Sequence, residues 1–147
     1  MTDLSPLARK TWMATLAKAA PAHLAVLFPD LPPHKVLRQP EIGAVMVRGR
    51  VGGTGAAFNL GEMTVTRASV QLATGEVGHA WVQGRDKHHA LRAAAVDALM
   101  QTDRAAELMA EVLYPLVAEA KAARAARGAK AAATKVDFFT MVRGEDK

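Results

Sequence analysis

The sequence predicts an α+β fold: a small, mainly antiparallel sheet with N-terminal helices before it, a central helix after it, and a long C-terminal helical segment ending in a strand. Three observations predict it. Glycine-punctuated runs rich in β-branched residues follow one another through the middle of the chain, with no helical pattern between them. Apolar residues recur at three and four positions on both sides of that region. An Ala-rich basic stretch is then followed by a short apolar run close to the C-terminus.

Ser5-Pro6 starts the first helix, because a hydroxyl can cap free amides and a proline at the first helical position loses no donor. Trp12, Met13, Leu16 and Ala20 then share a face. A second short helix is expected over residues 22–28, ended by Pro29, Pro32 and Pro33. Strands are expected over 36–38, 42–51, 63–73 and 77–82, with Thr74-Gly75-Glu76 as a hairpin turn. Consecutive strands without crossover helices pair antiparallel, which gives a meander.

From Asp86 the pattern is helical, with Leu91, Ala94, Ala95, Ala98 and Leu99 on one face, and Thr102-Asp103 offers a break and a new cap. In the next helix Leu108, Met109, Val112, Leu113, Leu116, Val117 and Ala120 recur at helical spacing. Pro115 within them predicts a kink or restart, and Gly128 a stop or weak point. The whole reads as a single domain over 1–147, with a core at about 5–102 and a C-terminal arm with terminal strand at about 103–147.

With 147 residues, 50% hydrophobic but only 5% aromatic, the core must be built from Ala, Val, Leu and Met. There is no cysteine, which excludes disulfides and thiolate-held zinc or iron-sulfur clusters on this chain. Charges at Asp3, Arg9, Lys10 and Lys18 leave no apolar block for a signal peptide, and no stretch reaches the length of a membrane span, so a cytoplasmic location is expected. A net charge of +5 favours an anionic partner, although much of it lies between Lys121 and Lys135, where a solvated helix face is the plainer explanation.

Gly52-Gly53-Thr54-Gly55 can form a backbone nest for an anion or a tight loop between strands; it lacks the Gly-Lys-Ser/Thr of a Walker A loop. Arg67 reaches the same pocket if the strands pair suitably, or else sits on the surface bound to a neighbour. Arg85, Lys87 and His89 flank the start of a helix capped by Asp86, where dipole and cations attract a phosphate or a partner carboxylate. His88 and His89 point about 100° apart on a helix, so no metal site is expected from this chain alone. His23, His34 and His79 are expected to be structural or exposed. The terminal run Val136, Asp137, Phe138, Phe139, Met141 and Arg143 is either core or an edge strand offered to another chain, and the interface is favoured. No nucleophile elbow and no carboxylate pair at close spacing is present, so catalytic residues are not identified.

Three segments together resemble the PhnG family of the bacterial carbon-phosphorus lyase system. They are Gly52 to Gly55 with Phe58-Asn59-Leu60-Gly61-Glu62 and Thr66-Arg67; Trp81-Val82-Gln83-Gly84-Arg85-Asp86-Lys87 with His89-Ala90 and 97–101; and 136–144. They occur in the family's order and cover roughly half of the chain, with poorer agreement over 29–41 and 103–135. Gln83, inside the second segment, joins the binding candidates.

The resemblance implies a subunit of the machinery that transfers the ribose 5-triphosphate of ATP to a phosphonate with release of adenine. It implies PhnH-, PhnI- and PhnL-like partners, a PhnJ-like protein for the later radical step, an obligate hetero-oligomer with a homo-oligomer possible in isolation, and ATP as a substrate of the complex with no cofactor on this chain alone. Two alternatives stand beside it: a stand-alone phosphate- or nucleotide-binding enzyme, and a basic nucleic-acid-binding module.

Overall fold

Two prolines set the first turn of the chain. In the computed structural model, which describes residues 6–136, helix α1 (Pro6–Lys18) opens on one proline and helix α2 (Pro21–Leu27) on another. Ala20, forced out of the helical region by the ring that follows it, is extended (φ −64°, ψ 123°) and makes the corner between them. Phe28 closes α2 by donating its amide to the Leu24 carbonyl, and Pro29 cannot continue the helix.

Among the described residues the sheet is a three-stranded antiparallel meander in the order β1 (His34–Arg50), β2 (Ala57–Leu72), β3 (Val77–Gln83). The segments expected separately at 36–38 and 42–51 are one strand. Pro40 cannot donate to a ladder, and the pairing slips between Arg38 and Glu41 to accommodate it, so the proline produces a bulge instead of a break. At 17 and 16 residues, β1 and β2 far exceed the usual strand of about 5–6 residues.

β3 pairs only from Val65↔Gln83 to Gln71↔Val77. Beyond it, from Ala44↔Thr64 to Arg50↔Ala57, the hairpin is two-stranded. Its tip is a short 3₁₀ turn, Val51–Gly53, with Gly52 and Gly53 at positive φ. At the other end Leu72 and Glu76 close the β2–β3 turn around Gly75, as the turn residues require.

Helix α3 (Lys87–Leu99) lies across one face of the sheet. Its buried side is mostly alanine, namely Ala90, Ala93, Ala94, Ala95 and Ala98, which allows the backbones to approach closely. α1 and α2 complete that layer through Trp12, Leu16, Leu24 and Phe28. Thr102 accepts the Arg104 amide and donates its hydroxyl to Leu99, making the expected break. The chain resumes as α4 (Ala105–Leu108), passes through a π-helical turn (Met109–Leu113), and continues as α5 (Tyr114–Ala133). The wide turn sits just before Pro115, which has no N–H to give and whose ring would crowd a regular preceding turn.

Ala105, Leu108, Val112, Leu113 and Leu116 all belong to the buried cluster. After Leu116 no residue of α5 is buried. The stop expected at Gly128 is not there: α5 runs through it to Ala133, because one glycine costs only about 1 kcal/mol against the alanines around it. Of the terminal run 136–143, Val136 is exposed and outside any regular element. Asp137, Phe138, Phe139, Met141 and Arg143 lie outside the described residues.

Candidate functional site

The glycine loop and Arg67 do not meet. Arg67 pairs in register with Glu41, ten residues along β2 from Ala57 at the tip, a span of about 33 Å at roughly 3.3 Å per residue. The expectation of a shared pocket is therefore corrected: antiparallel pairing places Arg67 in the body of the sheet and the glycines at the far end of the hairpin. At the tip the Thr54 and Gly55 amides both donate to the Val51 carbonyl, at 3.3 and 2.8 Å. Those two amides are spent on the turn and do not point outward as a nest.

Arg67 is held by two residues, Glu41 and Trp81. Its Nε and Nη2 donate to Glu41 Oε2 at 2.9 and 2.8 Å, and its guanidinium carbon lies 5.6 Å from the centre of the Trp81 ring. The Arg67 hydrogen bond, with help from Arg38, holds the Glu41 carboxyl below its ordinary range. Trp81 is half exposed on the sheet face opposite α3 and, with Glu41, Gly43, Val65 and Arg67, lines a shallow recess of about 240 Å³.

The β3–α3 corner is built around Gly84, whose φ of 94° suits glycine; its amide donates to Thr64 and its carbonyl accepts the Thr66 hydroxyl. Asp86 caps α3 by accepting the His89 amide at 2.9 Å. Arg85 and Lys87 are exposed here, and among the described residues neither meets a carboxylate. Gln83, also exposed, faces a recess shared with Lys18, Arg124 and Arg127.

His89 requires a correction. Three residues past the cap, its side chain turns inward and is 1% exposed, with Nε2–H donating to the Leu16 carbonyl at 2.8 Å. It ties α3 to α1 and is not accessible to a surface ligand. Its Nδ1 has no partner among the described residues, so a proton there would be a buried charge without an acceptor. Burial accordingly pushes the His89 pKa down from 6.5.

Stability follows with a definite sign. Above about pH 6.5 the ring is neutral in both folded and unfolded chains; below it the unfolded chain takes up a proton that the folded chain refuses. The fold is expected to lose up to about 1.4 kcal/mol per pH unit as pH falls from 6.5 toward the lower folded value. His89→Gln, which keeps a donor for Leu16, should flatten that slope in urea unfolding measured between pH 7 and 5; identical slopes would refute the assignment.

Of the other four histidines, three have partners: His79 Nδ1 bonds Ser69 Oγ at 2.7 Å, His34 Nδ1 approaches the Pro32 carbonyl, and His23 pairs with Glu119, while His88 is exposed. Among the described residues no three of His, Asp and Glu gather as a metal site. No helix among them is long and apolar enough to cross a membrane.

Sequence reasoning missed the central polar node. Asp97, fully buried, accepts Arg9 Nε and Nη2 at 3.2 and 2.8 Å, Trp12 Nε1 at 2.8 Å and the His79 amide at 2.9 Å. One carboxylate thus joins α1, α3 and β3, and it raises the Arg9 pKa through the same hydrogen bonds. The available signal was an aspartate within the otherwise apolar run from Ala93 to Met100.

Fold and site together define a small α+β protein whose polar side chains gather at a sheet face, a strand–helix corner and a basic helix. The chain belongs to the family described as phosphonate metabolism protein PhnG, whose model matches residues 7–144. A relative from Rhizobium meliloti (strain 1021), alpha-D-ribose 1-methylphosphonate 5-triphosphate synthase subunit PhnG, is 47% identical over 148 residues, covering 98% of this chain and 94% of that protein.

Proposed function

We propose that this chain is the G subunit of an alpha-D-ribose 1-methylphosphonate 5-triphosphate synthase, acting in phosphonate catabolism. The observation that carries this is the 47% identity to a subunit of that name across nearly the full length of both chains. The surface supports a subunit role. Ile42, Met46, Val51, Phe58 and Leu60 are exposed along the hairpin, and a two-stranded ribbon is marginal by itself in water. In this reading the hairpin and the Trp81 face meet other subunits, Arg85 and Lys87 hold a partner carboxylate or a substrate phosphate, and ATP is a substrate of the whole complex. PhnH-, PhnI- and PhnL-like chains are its partners in the transfer, in the cytoplasm, and a PhnJ-like chain cleaves the carbon-phosphorus bond afterwards.

Co-expression with those chains should yield a complex that releases adenine from ATP when methylphosphonate is present, and leaving this chain out should abolish that release. Arg85→Ala with Lys87→Ala, scored separately for co-purification and for adenine release, is expected to lower one of the two by about tenfold or more. A monomer that never co-purifies with the candidate partners would refute the proposal.

A further inference from the structure

Where α5 leaves the core it forms a groove with α1 that the described residues leave open. The groove holds about 570 Å³ and adjoins a recess of about 360 Å³ at the end of α1. Lys10, Lys18, Lys121, Arg124 and Arg127 line the two spaces. Among the described residues, Glu119 is the one acid in either lining, and it is already paired with His23. None of the five cations meets a carboxylate among the described residues.

The floor is apolar, formed by Leu116, Val117 and Ala120. Beyond it the exposed part of α5 is mostly alanine, a surface that another helix can approach closely. Between Glu119 and Asp137 the sequence has no acid but five cations, Lys121, Arg124, Arg127, Lys130 and Lys135. A bare Ala-rich helix of this length is marginal in water, and its charge selects what can cover it.

We infer that the α1–α5 groove is a docking site for an amphipathic, carboxylate-rich segment of a partner subunit, its apolar side on Leu116, Val117 and Ala120 and its acids on Lys10, Lys18, Lys121, Arg124 and Arg127. Charge complementarity singles out this occupant. A second copy would bring the same excess of cations to the same face, and like charges placed together disfavour that pairing. Aromatic residues for base stacking are missing from the lining, which disfavours single-stranded nucleic acid. The inference rests on the subunit reading above and adds where, and by what chemistry, one partner binds.

The chain has no cysteine, so Ala123→Cys, in the lining of the recess, provides a unique attachment point. The variant, labelled with a photo-crosslinker, is assembled with its co-expressed partner subunits and the joined peptides are identified by mass spectrometry. The expected product is a crosslink to a partner peptide rich in Asp and Glu. In parallel, Lys121→Glu with Arg124→Glu and Arg127→Glu, on exposed positions that leave the core untouched, should weaken association with that subunit on the order of 10- to 100-fold and reduce its salt dependence. The corresponding triple Gln variant should fall between, with unchanged helix content by circular dichroism.

Crosslinks to the chain's own C-terminal segment, to a second copy or to nucleic acid would overturn the inference. So would a complex that assembles and releases adenine normally with all three charges reversed, although that result leaves the proposed function standing. Failure of the unmodified chain to assemble at all would remove both.

Discussion

Asp97→Ala is expected to lower the unfolding free energy by about 3–5 kcal/mol, the range for removing one partner of a buried ion pair. The carboxylate is 0% exposed and receives four hydrogen bonds, three from α1 and one from β3. Alanine leaves the Trp12 indole N–H and the His79 amide without acceptors in places that water reaches poorly, and each such group costs about 1–3 kcal/mol. The Arg9 side chain is 37% exposed and can recover part of its hydration, so the largest share of the loss falls on Trp12 and His79. Asp97→Asn should cost less, because its carbonyl oxygen can still accept one of these donors while the charge opposite Arg9 disappears. Urea unfolding of both variants, with an Arg9→Met cycle to isolate the ion pair, checks the ranking. A loss below about 1 kcal/mol for the alanine variant would mean that the node is not structural.

Gly78→Ala is expected to cost about 3 kcal/mol or more, at or beyond the top of the usual range for overpacking. A Cβ built on Gly78 would lie 1.9 Å from the Ala94 carbonyl oxygen, 2.6 Å from the Ala98 nitrogen and 2.8 Å from the Ala98 Cβ. Two of these three atoms belong to the backbone of α3, so no rotamer change relieves the overlap. The helix must move away from β3, and the same movement stretches the bond from the His79 amide to Asp97. Ala98→Gly removes only the third contact and is not expected to rescue the variant. Gly61→Ala is the matched control: its Cβ would meet nothing within 4 Å, and stability should change by less than about 0.5 kcal/mol. Thermal unfolding of the two variants side by side measures the contrast. Equal melting temperatures would show that α3 and β3 are not packed as closely as described.

These two positions also show where the sequence was readable. The Ala-rich face of α3 was legible from its spacing, as was Asp86 as its cap, since both signals lie within a few residues of each other. Gly78, two residues into a strand, carries the generic signal of a close backbone approach, but nothing local says what approaches. Asp97 as a buried junction is not legible locally, because its partners Arg9 and Trp12 lie 88 and 85 positions away. Among the binding candidates, Arg85 and Lys87 sit where the strand–helix junction put them. His89 was misread because the rotation of a helix by three residues past its cap decides between surface and core, and that depends on what packs behind it. The gap between the runs at 36–38 and 42–51 and the glycine at 128 are both local signals of interruption. Pairing along the rest of β1 absorbs the first as a bulge, and surrounding alanines outweigh the second.

Among the described residues the sequence by itself determined the order of the helical and strand regions, the antiparallel meander and the family, since propensity, capping, turn chemistry and motif order are all local in the chain. Only the tertiary structure decided that β1 and β2 continue past β3 as a two-stranded arm, that Asp97 is the buried junction of three elements, and that α1 and α5 leave a basic groove between them. Each of these depends on residues far apart in sequence being brought together, and the energies that select such meetings, desolvation, close packing and charge pairing, exist only once the chain has folded.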